Sequence, residues 1–237
     1  MKSRFGKMAL AASVAAGMAA GMAASRVAAV EYVIAASQNA VIKSEHPATN
    51  YNGALMMQEC NYNAVGSAPI GGFIMAAFDL GMYSGYVAVA DGSFSNGINW
   101  AAEGGYYGSH QLLSNWNQST VTWGNYVGPT DDSTYLNLIG PKMGQIGPTA
   151  ADSWMTVPPY GWTVSQSVIQ AWLNNPGLCY GLALVPIEPN ENNQCFALNG
   201  MNWAPQQMPK LVVDIIVPEP AAAGVALAGL LLARRRR

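Results

Sequence analysis

The middle of this chain contains almost no basic residues. Residues 30–217 hold three lysines and no arginine against twelve acidic residues, a formal net charge of −9. The other eight Lys and Arg residues lie near the two ends. Such a domain cannot neutralise a run of phosphates, which argues against nucleic acid as a partner. It would also repel an acidic polysaccharide, so neutral glycans, other proteins or a surface matrix fit this charge better.

Side chains typical of catalysis are scarce as well. The two histidines, His46 and His110, are not at a metal-ligand spacing, and no nucleophile motif is present. The adjacent acids Asp131 and Asp132 follow a Gly-Pro turn signal, which is typical of a solvated loop. We therefore predict no enzymatic activity and no required cofactor, with calcium at Asp131 and Asp132 as a weak metal candidate. A polysaccharide lyase or hydrolase is the less favoured alternative, since sandwich folds can assemble carboxylate pairs from distant strands.

The N-terminal end has the pattern of a secretory signal peptide. Lys2, Arg4 and Lys7 precede an unbroken run of Ala, Gly, Met, Leu, Val and Ser, and small residues suitable for cleavage follow. We assign residues 1–29 to this signal. An uncleaved N-terminal membrane helix is the alternative, but the run is rich in alanine rather than leucine.

The C-terminal end combines three features in order. Pro218-Glu219-Pro220 precedes thirteen apolar residues, 221–233, and four arginines end the chain. As a helix, thirteen residues would reach about 20 Å, which is short for a hydrocarbon core of about 30 Å. The arginines would hold the end of this helix on the cytoplasmic side. The segment therefore suits a temporary stop during export better than a permanent anchor.

This tail resembles the PEP-CTERM sorting signal of Gram-negative bacteria. The resemblance implies recognition by exosortase, a membrane transpeptidase, with transient insertion of the helix in the inner membrane. It also implies delivery to the cell envelope, outer surface or extracellular matrix, in a biofilm that contains exopolysaccharide. An ordinary single-pass membrane tail is the alternative. The implied sorting residues are Pro218, Glu219, Pro220, Arg234, Arg235, Arg236 and Arg237.

The body between the ends has the pattern of an all-β protein. Short segments rich in Val, Ile, Tyr and Phe alternate with Gly, Asn and Pro, and one short helix is expected near residues 164–173. Thr163 and Gln166 have capping-box spacing at its start, and its Trp172 is expected in the core. We predict a two-sheet β-sandwich, jelly-roll-like, with this one α-helix laid across it. The predicted strands are 73–80, 86–90, 120–123, 178–185 and 211–217.

Several short motifs of the body occur in a set order. In sequence they are Gln38-Asn39-Ala40-Val41-Ile42, Asn50-Tyr51-Asn52-Gly53, Phe78-Asp79-Leu80, Trp116 with Ser119-Thr120-Val121-Thr122-Trp123, Trp162-Thr163-Val164 leading to Gln170-Ala171-Trp172, Tyr180-Gly181-Leu182-Ala183-Leu184 and Pro209-Lys210-Leu211-Val212-Val213. Together they resemble the DNRLRE-type domain, a secreted β-sandwich module related to carbohydrate-binding modules. The match covers roughly residues 37–217 of the body, which we assign as one domain over residues 30–217. The stretch 81–108 departs from the usual pattern, and basic residues are absent from the early strands.

Aromatic rings are the candidate ligand contacts. Flat rings can stack on the apolar faces of sugars, while amides and carboxylates serve the hydroxyls. Trp100, Tyr106, Tyr107 and Trp116 lie in or beside the irregular Gly-rich stretch, and we name them as candidate glycan contacts. Each ring taken singly has core packing as its alternative.

Three cysteines, Cys60, Cys179 and Cys195, would reach an oxidising compartment after export. Cys179 and Cys195 lie on or near neighbouring predicted strands, so a bridge between them is the preferred pairing, contributing about 3 kcal/mol in the chain-entropy model. Three buried thiols are the alternative.

These patterns lead to one functional expectation, an exported surface or matrix protein that binds carbohydrate without catalysis. A purely structural matrix or appendage protein is the alternative.

Overall fold

The computed structural model describes residues 28–52, 56–61, 72–101, 107–128, 134–146, 160–186, 194–202 and 204–217. The signal segment up to residue 27 and the sorting tail from residue 218 lie outside this part of the chain. Within the described ranges, every helix is too short or too polar to cross a bilayer.

The described residues are mostly β-strand, which confirms the all-β class. The helices are α1 (Trp123–Tyr126) and α2 (Gln166–Asn174), and single 3₁₀ turns occupy Gly81–Tyr83, Thr134–Asn137 and Pro176–Leu178. The strands are β1 (Val30–Lys43), β2 (Met56–Asn61), β3 (Gly72–Phe78), β4 (Val87–Ala88), β5 (Gly92–Asn96), β6 (Ile98–Ala101), β7 (Tyr107–Leu112), β8 (Ile139–Ile146), β9 (Tyr160–Val164), β10 (Leu182–Pro186), β11 (Gln194–Asn199) and β12 (Lys210–Ile216).

Nine of these strands form one curled sheet. Its order is β8-β7-β10-β3-β1-β12-β5-β9, and β4 pairs with β12 beside this path. The two outer strands approach each other, because a Cβ on Gly144 of β8 would lie 2.8 Å from the Cβ of Thr163 in β9. The Ser109 hydroxyl also donates to the Thr163 carbonyl at 2.8 Å. The sheet is therefore a near-closed barrel. A separate three-stranded sheet has the order β2-β11-β6.

Strand β1 links the two halves of the large sheet. Its first part pairs with β12, from Val30 opposite Ile215 to Ala35 opposite Lys210. Its second part pairs with β3, and the register shifts between Ala36 and Gln38. An irregularity of this kind bends a strand and increases its twist. One long strand can therefore serve both halves of the curled sheet.

Two apolar cores result, one on each face of β3. All seven residues of β3 are buried, as expected for a strand covered on both sides. The first core lies inside the barrel and includes Phe94, Trp162 and Trp172. The second core lies on the opposite face of β3, where Trp116 and Trp123 pack against Phe73, Met75 and their neighbours. We call these the inner core and the outer core.

One predicted strand is wrong. Residues 120–123 were expected to be extended, but the chain turns there and α1 begins at Trp123. The Thr122 hydroxyl accepts from the Asn125 amide, and the Asn125 side chain accepts from the Thr122 amide, at 3.2 Å and 2.9 Å. This reciprocal capping box favours a helix start over a strand. The predicted strands at 73–80 and 211–217 correspond to β3 and β12.

The predicted helix is present as α2, but its predicted cap is wrong. Thr163 lies within β9, so the N-cap is Ser165, whose side chain makes no cap hydrogen bond. The Asp91 carboxylate instead accepts from the backbone amide of Gln166 at 2.8 Å. A carboxylate at this position is favourable beside the positive end of the helix dipole. Trp172 is fully buried on the inner face of α2, as predicted.

Candidate functional site

Two of the four predicted glycan contacts are core residues. Tyr107 is 1% exposed and belongs to the inner core. Trp116 is 6% exposed and belongs to the outer core, where its indole N–H donates to the Tyr180 carbonyl at 2.8 Å. Neither ring presents a face to solvent, so neither can stack on a sugar in this structure. This corrects the sequence-based assignment of both residues.

The other two predicted contacts remain predictions. Trp100 lies in β6, where its backbone pairs opposite Ala197 of β11. Tyr106 lies outside the described residues, directly before β7.

A different group of rings lies at the surface. Tyr32, Tyr83 and Tyr86 form a three-way contact, which we call the tyrosine cluster. The ring centroids of Tyr32 and Tyr83 are 5.2 Å apart, those of Tyr83 and Tyr86 5.9 Å, and those of Tyr32 and Tyr86 6.4 Å. All three pairs are edge-to-face, the arrangement that aromatic quadrupoles favour. Each ring is half-buried, with one side on the inner core.

The tyrosine cluster lies at one end of the barrel. Tyr32 alternates with exposed neighbours in β1 and shares the inward side of that strand with buried Ile34 and Ala36. Val213 of β12 is its register partner. This is the end of the barrel at which β1 begins and β3 finishes. Barrel mouths are common ligand sites because they combine an apolar floor with an open rim.

A tight turn positions the second and third tyrosines. The Asp79 carboxylate accepts from the Gly81 amide at 2.8 Å, and the Tyr83 amide donates to the Leu80 carbonyl at 2.9 Å. Gly85 then adopts a φ of 80°, which residues with a Cβ rarely adopt. Its amide donates to the Leu173 carbonyl at 2.9 Å. The turn is thus fastened to α2 as well as to β3.

Helix α2 holds the other side of this segment through one glutamine. The Gln170 side chain donates to the Tyr86 carbonyl at 3.1 Å and accepts from the Ala88 amide at 2.9 Å. It also donates to the Asn174 side chain at 2.9 Å. The backbone that carries Tyr86 is therefore fixed by side-chain hydrogen bonds, which gives the cluster a rigid support.

Two polar side chains lie close to the tyrosine cluster along the chain or at the end of α2. Asp79 is exposed beside the turn that it caps, and Asn174 is exposed at the end of α2. Met82, the middle residue of the 3₁₀ turn Gly81–Tyr83, is 77% exposed. Half-exposed rings with neighbouring carboxylate and amide groups form the kind of surface that contacts both faces and hydroxyls of a sugar.

The opposite end of β1 carries a smaller aromatic contact. The Lys43 ammonium lies 5.4 Å from the centroid of the Tyr51 ring, and the His46 ring lies 6.4 Å from it. His46 also lies 3.9 Å from the Glu45 carboxylate. This end therefore presents one tyrosine with a cation above it, and it differs from the tyrosine cluster in charge.

The structure brings no metal site together among the residues it describes. No group of three or more His, Cys, Asp or Glu side chains converges in this part of the chain. The predicted calcium candidates Asp131 and Asp132 lie outside it. His110 is half-buried, with its Nδ1 2.8 Å from the Gly140 carbonyl oxygen. Burial, together with repulsion from Lys142, lowers the pKa of His110 below its usual value despite this hydrogen bond.

The cysteines are arranged differently from the predicted pairing. Cys179 is a free thiol, half-buried against the inner core. Burial raises its pKa to about 12. Cys195 of β11 lies opposite Cys60 of β2 in the small sheet. The register thus favours a pairing other than Cys179 with Cys195.

The tyrosine cluster could be anticipated only in part from the sequence. Tyr83 and Tyr86 lie in the irregular Gly- and Tyr-rich stretch in or beside which the aromatic contacts are predicted. Tyr32 lies about fifty residues earlier, and only the pairing of β1 with β3 and β12 brings it to them. Comparison with protein-family models gave no match to this chain, and comparison with curated proteins gave none either.

Proposed function

We propose that this chain is an exported cell-surface or matrix protein that binds neutral carbohydrate without catalysis. Its export would follow the PEP-CTERM route, with exosortase as a transient partner. The tail supports this half of the proposal, because a short apolar segment between Pro218-Glu219-Pro220 and four arginines suits a processing signal better than a stable anchor.

The tyrosine cluster supports the binding half. Three half-buried rings present a rigid aromatic surface at the mouth of the barrel, and rings that are already held in place lose little conformational entropy on binding. The net charge of −9 over residues 30–217 favours an uncharged ligand, because an anionic polymer would be repelled. The proposed ligand class is therefore a neutral polysaccharide of the surrounding matrix.

The finer architecture belongs to the same proposal. Under the DNRLRE-like interpretation, the curled sheet is a strongly bent two-sheet sandwich of jelly-roll type. The change of partner along β1 at Ala36–Gln38 supports this, since strands that pass from one sheet to the other through a bulge make the corners of such folds.

The binding half can be tested with two matched tyrosine variants. Retention on neutral polysaccharide columns, including the host's own exopolysaccharide, would be compared for Tyr83→Ala and Tyr51→Ala. Both remove one half-buried tyrosine, at opposite ends of β1. We expect Tyr83→Ala to weaken retention roughly tenfold, about 1.4 kcal/mol, and Tyr51→Ala to leave it unchanged. Equal retention by both variants and the parent protein would remove the tyrosine cluster as the site.

Export can be tested separately in a Gram-negative host that carries an exosortase. Mass spectrometry of the surface fraction should find a protein that lacks the residues after the Pro-Glu-Pro. A variant with Pro218, Glu219 and Pro220 all replaced by alanine should accumulate uncut in the inner membrane. An uncut parent protein in that membrane would instead support an ordinary single-pass tail.

A structural role in the matrix is the second candidate. Exposed apolar side chains along β1 and β4 favour it, because Val30, Val33 and Val87 are 50%, 56% and 44% exposed. Such residues can serve association with another protein chain. Size-exclusion chromatography distinguishes the two roles: assembly that grows with concentration and needs no sugar supports the structural one.

A further inference from the structure

Two of the three cysteines are direct neighbours across strands. In the small sheet, Cys195 of β11 is the register partner of Cys60 of β2. The antiparallel pairing is continuous from Gln194 opposite Asn61 to Asn199 opposite Met56, with no shift between them. The position of the two cysteines is therefore fixed by a complete ladder.

This placement satisfies the backbone requirement for a disulfide. Directly opposite residues of an antiparallel pair project to the same face of a sheet, with Cα atoms about 4.5 Å or 5.5 Å apart depending on the hydrogen-bond pattern. Bridged cysteines have Cα separations of about 4.4–6.8 Å. Both kinds of pair fall within that range, so the two strands are close enough for a bridge.

We propose that Cys60 and Cys195 form a cross-strand disulfide in the exported protein. The two thiols lose two protons and two electrons as the S–S bond forms. An oxidised thiol compound or dithiol protein accepts the electrons, because its own disulfide breaks into two thiols. The reaction needs an oxidising compartment, so its occurrence in cells rests on the proposed export.

Cys179 is set apart from this pair by its surroundings. It follows the 3₁₀ turn Pro176–Leu178 and packs against the inner core as a free thiol. Its raised pKa leaves almost no thiolate near neutral pH, and the thiolate is the form that attacks a disulfide. Cys179 is therefore a poor competitor for either partner.

The bridge would stabilise an edge strand of the small sheet. Strand β2 is at its edge and pairs within that sheet only with β11. By contrast, β11 pairs on both sides, and its Leu198 is fully buried in the inner core. The two cysteines are 135 positions apart in the sequence. Closing so long a loop restricts the unfolded chain more than the 16-position loop between Cys179 and Cys195 would.

The pairing is tested on the purified full-length chain, oxidised with a glutathione redox couple and then alkylated. Peptide mapping without reductant should find one linked peptide pair, which contains Cys60 and Cys195, and an alkylated Cys179. A link between Cys179 and Cys195, or three alkylated thiols after complete oxidation, would overturn the proposal.

Thermal unfolding adds a second measurement with matched variants. We expect Cys60→Ser, Cys195→Ser and the double variant to lower Tm equally, on the order of 10 °C, because each removes the same bond. Reductant should lower the Tm of the parent chain by a similar amount, and Cys179→Ser should keep this sensitivity. A parent Tm that reductant does not change would contradict the proposal even if a serine variant failed to fold.

Failure of the pairing and failure of export give different results. Thiol labelling of intact cells reports the compartment, whereas the mapping of purified protein reports the pairing. If the bridge forms in the purified chain but both thiols are free in cells, the pairing holds and the proposed export is wrong.

Discussion

Two groups of aromatic residues in this protein have opposite environments although both lie in Gly-rich, irregular sequence. Trp116 packs in the outer core and Tyr107 in the inner core, and neither is more than 6% exposed. Tyr83 and Tyr86 remain half-exposed at the mouth of the barrel. The difference follows from what covers each residue. Trp116 lies in the segment 113–128 that packs on the outer face of β3, and Tyr107 lies within the inner core, whereas nothing described folds over the tyrosine cluster.

The largest loss of stability is expected on removing the outer-core ring of Trp116. Trp116→Ala should lower the free energy of unfolding by about 3–5 kcal/mol, because it leaves a cavity and removes the hydrogen bond to the Tyr180 carbonyl. Urea denaturation measures this loss. Polysaccharide retention by the protein that remains folded should be unchanged. A loss below about 1 kcal/mol would show that Trp116 is not packed as described.

A ring in the tyrosine cluster should matter less to stability. Tyr83→Ala removes two edge-to-face contacts and should cost about 1–3 kcal/mol, since each such pair contributes about 0.5–1.5 kcal/mol. Tyr83→Phe keeps a ring in contact with both Tyr32 and Tyr86, so it should cost less stability in the same urea assay. A larger loss for Tyr83→Ala than for Trp116→Ala would reverse the comparison.

Two buried tryptophans allow a finer test of what the indole N–H contributes. The Trp116 N–H donates to a carbonyl, whereas the Trp172 N–H has no hydrogen-bond partner among the described residues. Both Trp→Phe changes remove similar volume, but only Trp116→Phe leaves the Tyr180 carbonyl without this donor. We expect Trp116→Phe to be the more destabilising change, by about 1 kcal/mol in urea denaturation. Equal losses would indicate that Trp172 also has a partner.

The sequence predicted the parts of the fold that depend on local pattern. The β-rich body, strands β3 and β12, and helix α2 with Trp172 on its buried side all follow from short-range periodicity. The start of α2 did not, because its capping carboxylate comes from Asp91, seventy-five residues earlier. The strand predicted at 120–123 failed for the reverse reason. There the β-prone residues Val121 and Trp123 favour a strand, but the local capping box of Thr122 and Asn125 starts a helix.

The candidate site was less predictable than the fold. Composition predicted glycan-contacting rings in or beside the Gly-rich stretch 81–108, but composition does not state which face of a sheet a ring occupies. Tyr32 joins Tyr83 and Tyr86 only through the pairing of β1 with β3 and β12. The Cys60–Cys195 register likewise depends on strands separated by most of the chain. Sites of this kind are set by long-range pairing, which one sequence does not reveal.

His110 is a further half-buried ring, and its substitution gives the smallest expected effect. Burial lowers its pKa in the folded protein below the unfolded value of about 6.5. Above that value the ring is neutral in both states. As the pH falls below 6.5, the unfolded chain takes up the proton first, so stability declines until the pH passes the lower folded pKa. His110→Gln can still donate to the Gly140 carbonyl but does not titrate. We therefore expect the urea midpoint of the parent protein to fall relative to that of the variant between pH 8 and pH 5. Parallel pH profiles would show that His110 is solvated as in the unfolded chain.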